Sequence, residues 1–403
     1  MEFRIKKFKI ESILLLVITF LSWVGFGDYM AGLFLVAFIF GLFFKENRKL
    51  MTSDKVLIFL LVAFTLNNLI SSALSINKVQ SIILSFLWFL IIFIPIYYVR
   101  IIFNGDSEFF YKKIIPLSFI ALSIIITIIL VHFGKDLLEV GLKYKRYKYR
   151  LLGLQSSTDM ILILTGLGYG WLRQKKKTSF LWIGLVYLII GGFGIFLTAD
   201  RGGMLSYIIL SFILLSFDYK RLVLFIILLF STIFIMYRLD VGNMRHLFSY
   251  LVTKNGYKEV YYGHQLETFQ QSWLLIKDHW LLGVGTGNFS KFIVKYGHKR
   301  WYAYAHNIIL QFWAENGIFG MIFGLSIIGV IFYRWIYVMR NIRNYKYILL
   351  GIGSTFMIMI ISNMTNCTIW IIRIAIVFWI LAGTIIAEYF IVKNVHSDEK
   401  MSL

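Results

Sequence analysis

The sequence predicts an all-α integral membrane protein with about a dozen transmembrane helices, and three observations lead to that prediction. Hydrophobic residues make up 59% of the chain, whereas they make up roughly 45–50% of a soluble domain. They are concentrated in blocks of about 20 residues, which is the length that a helix needs to cross the hydrocarbon core of a bilayer. The chain has only two prolines, so most of these helices are expected to run unbroken.

Long, uniformly apolar blocks favour helices over the strands of a barrel, in which lipid-facing and lumen-facing residues alternate. No soluble domain, internal repeat or cleavable signal peptide is evident, so residues 1–403 are interpreted as one polytopic membrane domain with its first span retained. The predicted spans are residues 10–27, 29–44, 55–76, 80–103, 114–133, 158–172, 179–198, 203–217, 221–238, 317–338, 346–364 and 369–392.

Lysine and arginine are concentrated in alternate loops, and this asymmetry predicts the orientation of the chain. The basic loops, which include both ends of the chain, are assigned to the cytoplasm, and an even number of spans agrees with two cytoplasmic termini. The opposite side has mostly short turns, with two exceptions at residues 134–158 and 239–316. The second exception lies between spans 9 and 10, and loops of that length in a compact fold are usually functional.

The net charge of +21 raises the question of a nucleic-acid partner. Cytoplasmic loops and contact with anionic lipid head groups explain such a charge more simply in a membrane protein. Membrane lipids are therefore an expected partner and nucleic acid is not. The single cysteine, Cys367, excludes an intrachain disulfide and a thiolate metal cluster. The histidines are too scattered for a zinc site, and neither a metal nor a cofactor is expected.

One basic block breaks the charge rule because it lies on the predicted outer side. Its cations are interleaved with tyrosines, and moving such a block across a membrane is unfavourable. It is interpreted as an anion-binding surface; the alternative is contact with the phosphates of outer-leaflet lipids. The basic residues of this block are Lys143, Lys145, Arg146, Lys148 and Arg150.

Two arginines lie near the outer ends of predicted spans. Arg201 occurs in the stretch Leu-Thr-Ala-Asp-Arg-Gly-Gly at residues 197–203, where span 7 ends and span 8 begins. An ionised group at membrane depth is costly and is a functional candidate by default; the alternative is a pair with Asp200 or a lipid that only anchors the turn. Arg373 lies in the first turn of the last span and points either into the same cavity or, by snorkelling, to the surface.

A polar cluster lies at the end of the long outer segment. Asn307, Gln311 and Glu315 are spaced by four residues, so on a helix they share one face. His306 lies one residue before this face, and histidine acts as a general base near neutral pH. The alternative for His306 is that it only caps the helix.

Upstream, residues 273–289 predict an amphipathic helix that ends in a glycine-rich turn. The turn lacks the preceding strand and the following Lys-Ser/Thr of a nucleotide-binding loop, so nucleotide binding is not expected. Trp273 and Trp280 are typical of a segment that lies at the membrane interface.

Four stretches, in their content, order and spacing, resemble the O-antigen ligase and O-antigen polymerase superfamily of bacterial membrane glycosyltransferases. Together they cover roughly residues 195–325, and the first half of the chain is similar only in hydropathy and topology. The stretches are residues 197–203, residues 273–289, Ala-His-Asn-Ile-Ile-Leu-Gln at 305–311, and Glu-Asn-Gly-Ile-Phe-Gly at 315–320.

The resemblance implies a GT-C-like fold with a large periplasmic loop, residues 239–316, that carries part of the active site. It implies metal-independent, inverting transfer of a glycan from undecaprenyl diphosphate at the periplasmic face of the bacterial inner membrane. Arg201 matches the family arginine after the Leu-Thr pair, and His306 matches the histidine of the Ala-His-Asn motif, so both are predicted to be catalytic. The predicted substrate-binding residues are Arg373, Lys143, Lys145, Arg146, Lys148, Arg150, Arg245, Asn307, Gln311 and Glu315.

The sequence departs from the family pattern at one point. Many members have an arginine about eight residues before the position of Trp273, but residues 263–269 contain none. Arg245 and the basic block are the candidates for the missing charge, and roles for His264 and Gln265 stay open. In this scheme arginines stabilise the diphosphate leaving group in place of a metal, and the histidine accepts the proton of the acceptor hydroxyl.

The sequence is compatible with three functions. The first is an O-antigen ligase, which joins the lipid-linked polysaccharide to a sugar of lipid A–core. The second is a polymerase that joins lipid-linked repeat units, and sequence barely separates the two because they share donor and leaving group. The third is a polysaccharide transporter, which predicts charges at mid-membrane and broken helices in both halves. Here the polar residues lie mostly outside the spans.

Overall fold

The computed structural model describes residues 54–139, 154–175, 177–198, 200–216, 218–238, 266–297, 304–342 and 344–401, together with residues 17 and 19–21. All regular secondary structure in these residues is helical. The helices are α1 (Lys55–Ala73), α2 (Lys78–Phe109), α3 (Leu117–Glu139), α4 (Leu154–Gln174), α5 (Thr178–Thr198), α6 (Arg201–Leu215), α7 (Tyr219–Arg238), α8 (Glu267–Asp278), α9 (Phe289–Ile293), α10 (Ile308–Asn341), α11 (Lys346–Ser362) and α12 (Ile372–Met401).

Six helical segments in the described part of the chain are long and apolar enough to cross a membrane. They lie in α1, α2, α3, α5, α10 and α12, and two shorter apolar helices lie in α6 and α11. These helices belong to a multi-pass membrane protein, and the all-α prediction is confirmed for the described residues. The first two predicted spans, 10–27 and 29–44, lie almost wholly outside those residues. The count of twelve spans and the orientation stay predictions.

Small residues allow the central helices to approach closely. A Cβ atom on Gly351 of α11 would lie 2.5 Å from the carbonyl oxygen of Gly166 in α4, and one on Gly170 would lie 2.6 Å from that of Tyr347. Membrane helices have no hydrophobic effect to drive their association in lipid, so close backbone packing of this kind stabilises the bundle.

A buried ion pair joins three helices at the end of the bundle where α1 begins. Asp54 caps α1 by accepting from Leu57 N–H at 3.2 Å, and it pairs through both carboxylate oxygens with Arg334 of α10. The guanidinium of Arg334 also lies 5.0 Å from the ring centre of Tyr389 in α12. The pair therefore fixes α1, α10 and α12 at the end opposite to the start of α10.

Helix α10 is longer than the sequence predicts. The predicted span was 317–338, but the helix begins at Ile308 and contains a non-helical joint at Gly317, with φ +70° and ψ −175°. The nine residues before the joint include buried polar side chains. The predicted span was defined by a continuous run of apolar residues, so it began after these nine residues. This polar first section of α10 carries the residues that follow His306.

Candidate active site

The start of α10 is held by the turn at residues 363–367, which follows α11. The Ile308 N–H donates to the carbonyl oxygen of Asn363 at 2.9 Å. The Asn307 side-chain amide donates to the carbonyl oxygen of Met364 at 3.2 Å. Two carbonyl groups of one turn thus fix the position of the chain immediately after His306.

The same turn contacts the start of α6, immediately after Arg201. A Cβ atom on Gly202 would lie 2.6 Å from Thr365 Oγ1, so a larger residue would require the Thr365 side chain to move. Asp200 caps α6 by accepting from the Gly203 N–H at 3.3 Å. The two stretches predicted to carry the catalytic residues, about a hundred positions apart in the chain, therefore meet at a single turn.

His306 lies just outside α10 in a left-handed backbone conformation, with φ +53°, and its side chain is half-buried. The cap of α10 is instead Asn307, whose Oδ1 accepts from the N–H groups of Ile309 at 2.9 Å and Leu310 at 3.1 Å. The alternative that His306 serves as the helix cap is therefore wrong. A positive φ at a residue other than glycine is uncommon, and such conformations cluster at functional sites.

Gln311 and Glu315 share one face of α10, as their spacing predicts, and both are buried. Gln311 Oε1 accepts from the Ala305 N–H at 2.7 Å. Glu315 Oε1 accepts from the Phe289 N–H at 3.4 Å. These bonds order the chain on both sides of His306. Direct contact of Asn307, Gln311 and Glu315 with a substrate stays a prediction.

The glycine-rich turn packs against the joint in α10. The Val284 N–H donates to the carbonyl oxygen of Ala314 at 2.9 Å, and the Gly285 N–H donates to that of Glu315 at 2.8 Å. Gly285 has φ +88°, and a Cβ atom there would lie 2.6 Å from Ser75. These two N–H groups donate to carbonyl groups of α10, and the bonds hold the turn against the joint.

Several predicted site residues lie outside the part of the chain that the structure describes. For Arg201 and Arg373 the backbone is described and the side chain is not. The others lie outside it entirely: Lys143, Lys145, Arg146, Lys148, Arg150 and Arg245, together with His264 and Gln265. Their roles stay predictions.

Asp159 of α4 is a site residue that the sequence analysis missed. It is fully buried and accepts hydrogen bonds from Ser362 Oγ at 2.8 Å and from Thr368 Oγ1. These two donors flank the turn at residues 363–367. The signal was present in the sequence, because a lone carboxylate inside the apolar block 158–172 is a functional candidate by default.

Two groups beside the site have raised pKa values. Burial raises the pKa of Tyr304, two residues before His306, and the nearby carboxylate of Glu315 raises it further. Burial also raises the pKa of the Cys367 thiol. At neutral pH both groups keep their protons, so Tyr304 is available as a hydrogen-bond donor and Cys367 is a poor nucleophile.

Among the residues that the structure describes, no three His, Cys, Asp or Glu side chains lie close enough together to hold a metal ion. An aromatic cavity of about 30 Å³ lies next to the site, lined by Phe312, Trp88, Trp370 and Trp379 among others.

Comparison with known families adds a second line of evidence. Residues 185–325 match the family model described as O-antigen ligase. The match confirms the resemblance to the O-antigen ligase and polymerase superfamily. All four stretches that carry the resemblance fall within the matched third of the chain, and all four hold contacts described above. The superfamily supports a role as an enzyme and does not distinguish ligase from polymerase. No curated protein matches the sequence.

Proposed function

We propose that the protein is an O-antigen ligase that transfers a polysaccharide from undecaprenyl diphosphate to a sugar of lipid A–core. The reaction takes place at the periplasmic face of the bacterial inner membrane. One observation carries the proposal: the stretch with Arg201 and the stretch with His306, both inside the segment that matches the O-antigen ligase model, contact the same turn at residues 363–367.

In the proposed reaction, the acceptor sugar hydroxyl attacks the anomeric carbon of the donor glycan. A new glycosidic C–O bond forms with inversion, and the bond from that carbon to the diphosphate oxygen breaks. His306 accepts the proton of the hydroxyl. Arg201 stabilises the negative charge that develops on the undecaprenyl diphosphate, so no metal ion is required.

The local structure supports this division of roles. Helices α6 and α10 both begin at the 363–367 turn, so both present their partially positive N-terminal ends there. This potential favours an anionic leaving group. His306 precedes the capped end of α10 and its side chain is only half-buried, which leaves it access to an acceptor hydroxyl.

The remaining predicted residues complete the proposal. Arg373 and the basic block at residues 143–150 contribute further cations to the diphosphate. Arg245 or the same basic block supplies the charge of the arginine that residues 263–269 lack. The segment at residues 239–316 is proposed to be the periplasmic loop that carries His306. Asn307, Gln311 and Glu315 contribute by orienting the histidine and the acceptor.

Deletion of the gene, followed by gel analysis of lipopolysaccharide, tests the proposal. We expect the core to lose all long chains while lipid-linked polymer accumulates, and the His306→Ala and Arg201→Ala variants to behave like the deletion. His279→Ala, a histidine of the same segment that packs on Phe292, is the control and should restore the wild-type pattern.

Other outcomes contradict the proposal in distinct ways. A core that carries one repeat unit indicates a polymerase. Loss of every periplasmic lipid-linked glycan indicates a transporter. Wild-type lipopolysaccharide in His306→Ala or Arg201→Ala refutes the site.

A further inference from the structure

One buried carboxylate links the two ends of the turn at the candidate active site. Asp159 of α4 is 0% exposed and accepts from Ser362 Oγ at 2.8 Å and from Thr368 Oγ1. Ser362 is the last residue of α11, and Thr368 begins the 3-10 turn that follows residues 363–367. The carboxylate therefore fixes where the turn begins and where it ends.

We propose that Asp159 is a positioning residue for the glycosyl-transfer site, a role that rests on the proposed function. It acts through the turn. The carbonyl groups of Asn363 and Met364 hold the start of α10 beside His306, and Thr365 contacts Gly202 beside Arg201. A shift of the turn therefore changes the distance between the two predicted catalytic residues.

Direct participation of Asp159 in the chemistry does not fit its environment. Its side chain has no exposed surface, so the carboxylate has no access to an acceptor hydroxyl. Both of its oxygens accept hydrogen bonds from hydroxyl groups of the turn. Its contribution to transfer therefore passes through the backbone that it holds.

Two substitutions separate a positioning role from a role of the negative charge. Serine and threonine hydroxyls both donate and accept hydrogen bonds. The amide of Asp159→Asn therefore keeps a bond to Ser362 and a bond to Thr368 but has no charge. Asp159→Ala removes both bonds and leaves two buried hydroxyls without their acceptor. A positioning role predicts rescue by asparagine and not by alanine.

The chain contains its own reporter of the turn. Cys367 is the only cysteine, is fully buried and lies in the turn with φ +62°. Its rate of alkylation by N-ethylmaleimide therefore measures how often the turn opens. This readout does not depend on transfer activity.

The experiment compares full-length wild type, Asp159→Asn and Asp159→Ala in membranes. The control variant is Asp218→Ala. Asp218 lies between α6 and α7, and the substitution removes a carboxylate that pairs with Arg221. In Asp159→Ala we expect Cys367 alkylation to rise at least about tenfold and kcat for transfer to fall by a similar factor with little change in KM, because the loss affects the transition state rather than binding. Asp159→Asn and Asp218→Ala should stay within about threefold of wild type in both readouts.

Two results would overturn the proposal. One is Cys367 that stays protected in Asp159→Ala. The other is an Asp159→Asn variant with protected Cys367 that is as inactive as Asp159→Ala, which would assign a role to the charge. If the proposed function is wrong, the result is different, because His306→Ala would retain transfer. The rate of Cys367 alkylation would still show whether Asp159 holds the turn.

Discussion

Replacing Gly317 with alanine tests the joint that places the first section of α10 against the glycine-rich turn. Gly317 has φ +70° and ψ −175°, a region open essentially only to glycine, where another residue costs about 1–3 kcal/mol. The new Cβ atom would lie 2.1 Å from the carbonyl oxygen of Leu281, so the two segments have to separate. Separation breaks bonds such as Ile318 N–H to Trp280 O and Val284 N–H to Ala314 O.

The cost follows from these contributions. Each lost hydrogen bond contributes about 0.5–1.5 kcal/mol net, so the strain and two lost bonds lower the free energy of unfolding by about 2–6 kcal/mol. Gly329→Ala in the same helix is the matched control, since a Cβ atom there meets nothing within 4 Å. It should leave stability unchanged or raise it by about 0.5–1 kcal/mol, because alanine is the better helix former.

Reversible unfolding in mixed micelles, titrated with sodium dodecyl sulfate, measures both variants. We expect Gly317→Ala to unfold at a clearly lower detergent fraction than Gly329→Ala. If the two variants unfold at the same point, the joint does not have the geometry described and the positions of Glu315 and the glycine-rich turn are in doubt.

Three further predictions follow from single contacts. Asn307→Ala removes the cap of α10 and should lower the unfolding free energy by about 0.5–2 kcal/mol in the same titration; an unchanged value would refute the cap. Asp54→Asn leaves the buried Arg334 without a counter-charge and should cost about 3–5 kcal/mol. Asp218→Asn, at a more accessible pair, should cost about 0–1 kcal/mol; equal losses would contradict the burial of the first pair. Burial raises the pKa of the Cys367 thiol. At pH 8 it should therefore react with N-ethylmaleimide far more slowly than a free thiol until detergent unfolds the protein. Rapid labelling of the folded protein would show that the turn is open.

Hydrophobic block length alone predicted most of the described helices. Ten predicted spans coincide with described helices because apolar residues in lipid leave the backbone no alternative to internal hydrogen bonds. The end of α12 lies nine residues beyond its predicted span, and the start of α10 lies nine residues before its predicted span. The first section of α10 contains buried Gln311 and Glu315, whose oxygens accept from the N–H groups of Ala305 and Phe289. A count of apolar residues does not detect a polar helical section of this kind.

Local motifs predicted which stretches meet, but not how they are joined. The Arg201 and His306 stretches were identified from their residues, and the structure brings both to the turn at residues 363–367. Asp159 was missed although a lone carboxylate in an apolar block is itself a signal. Its hydroxyl partners could not be predicted, because they lie about 200 positions away and leave no periodic pattern. The roles of Asn307 and His306 at the helix start were also not separable by sequence, because the cap is decided by backbone angles.

Transfer by purified protein, reconstituted with lipid-linked polysaccharide and lipid A–core, tests the central claim most directly. If Arg201 and His306 form one site, His306→Ala should lower kcat by about 10²–10⁴-fold, the usual contribution of a general base. Arg201→Ala should lower kcat by at least about 10²-fold, and His279→Ala should match wild type. Transfer by His306→Ala or Arg201→Ala at the wild-type rate would contradict the account.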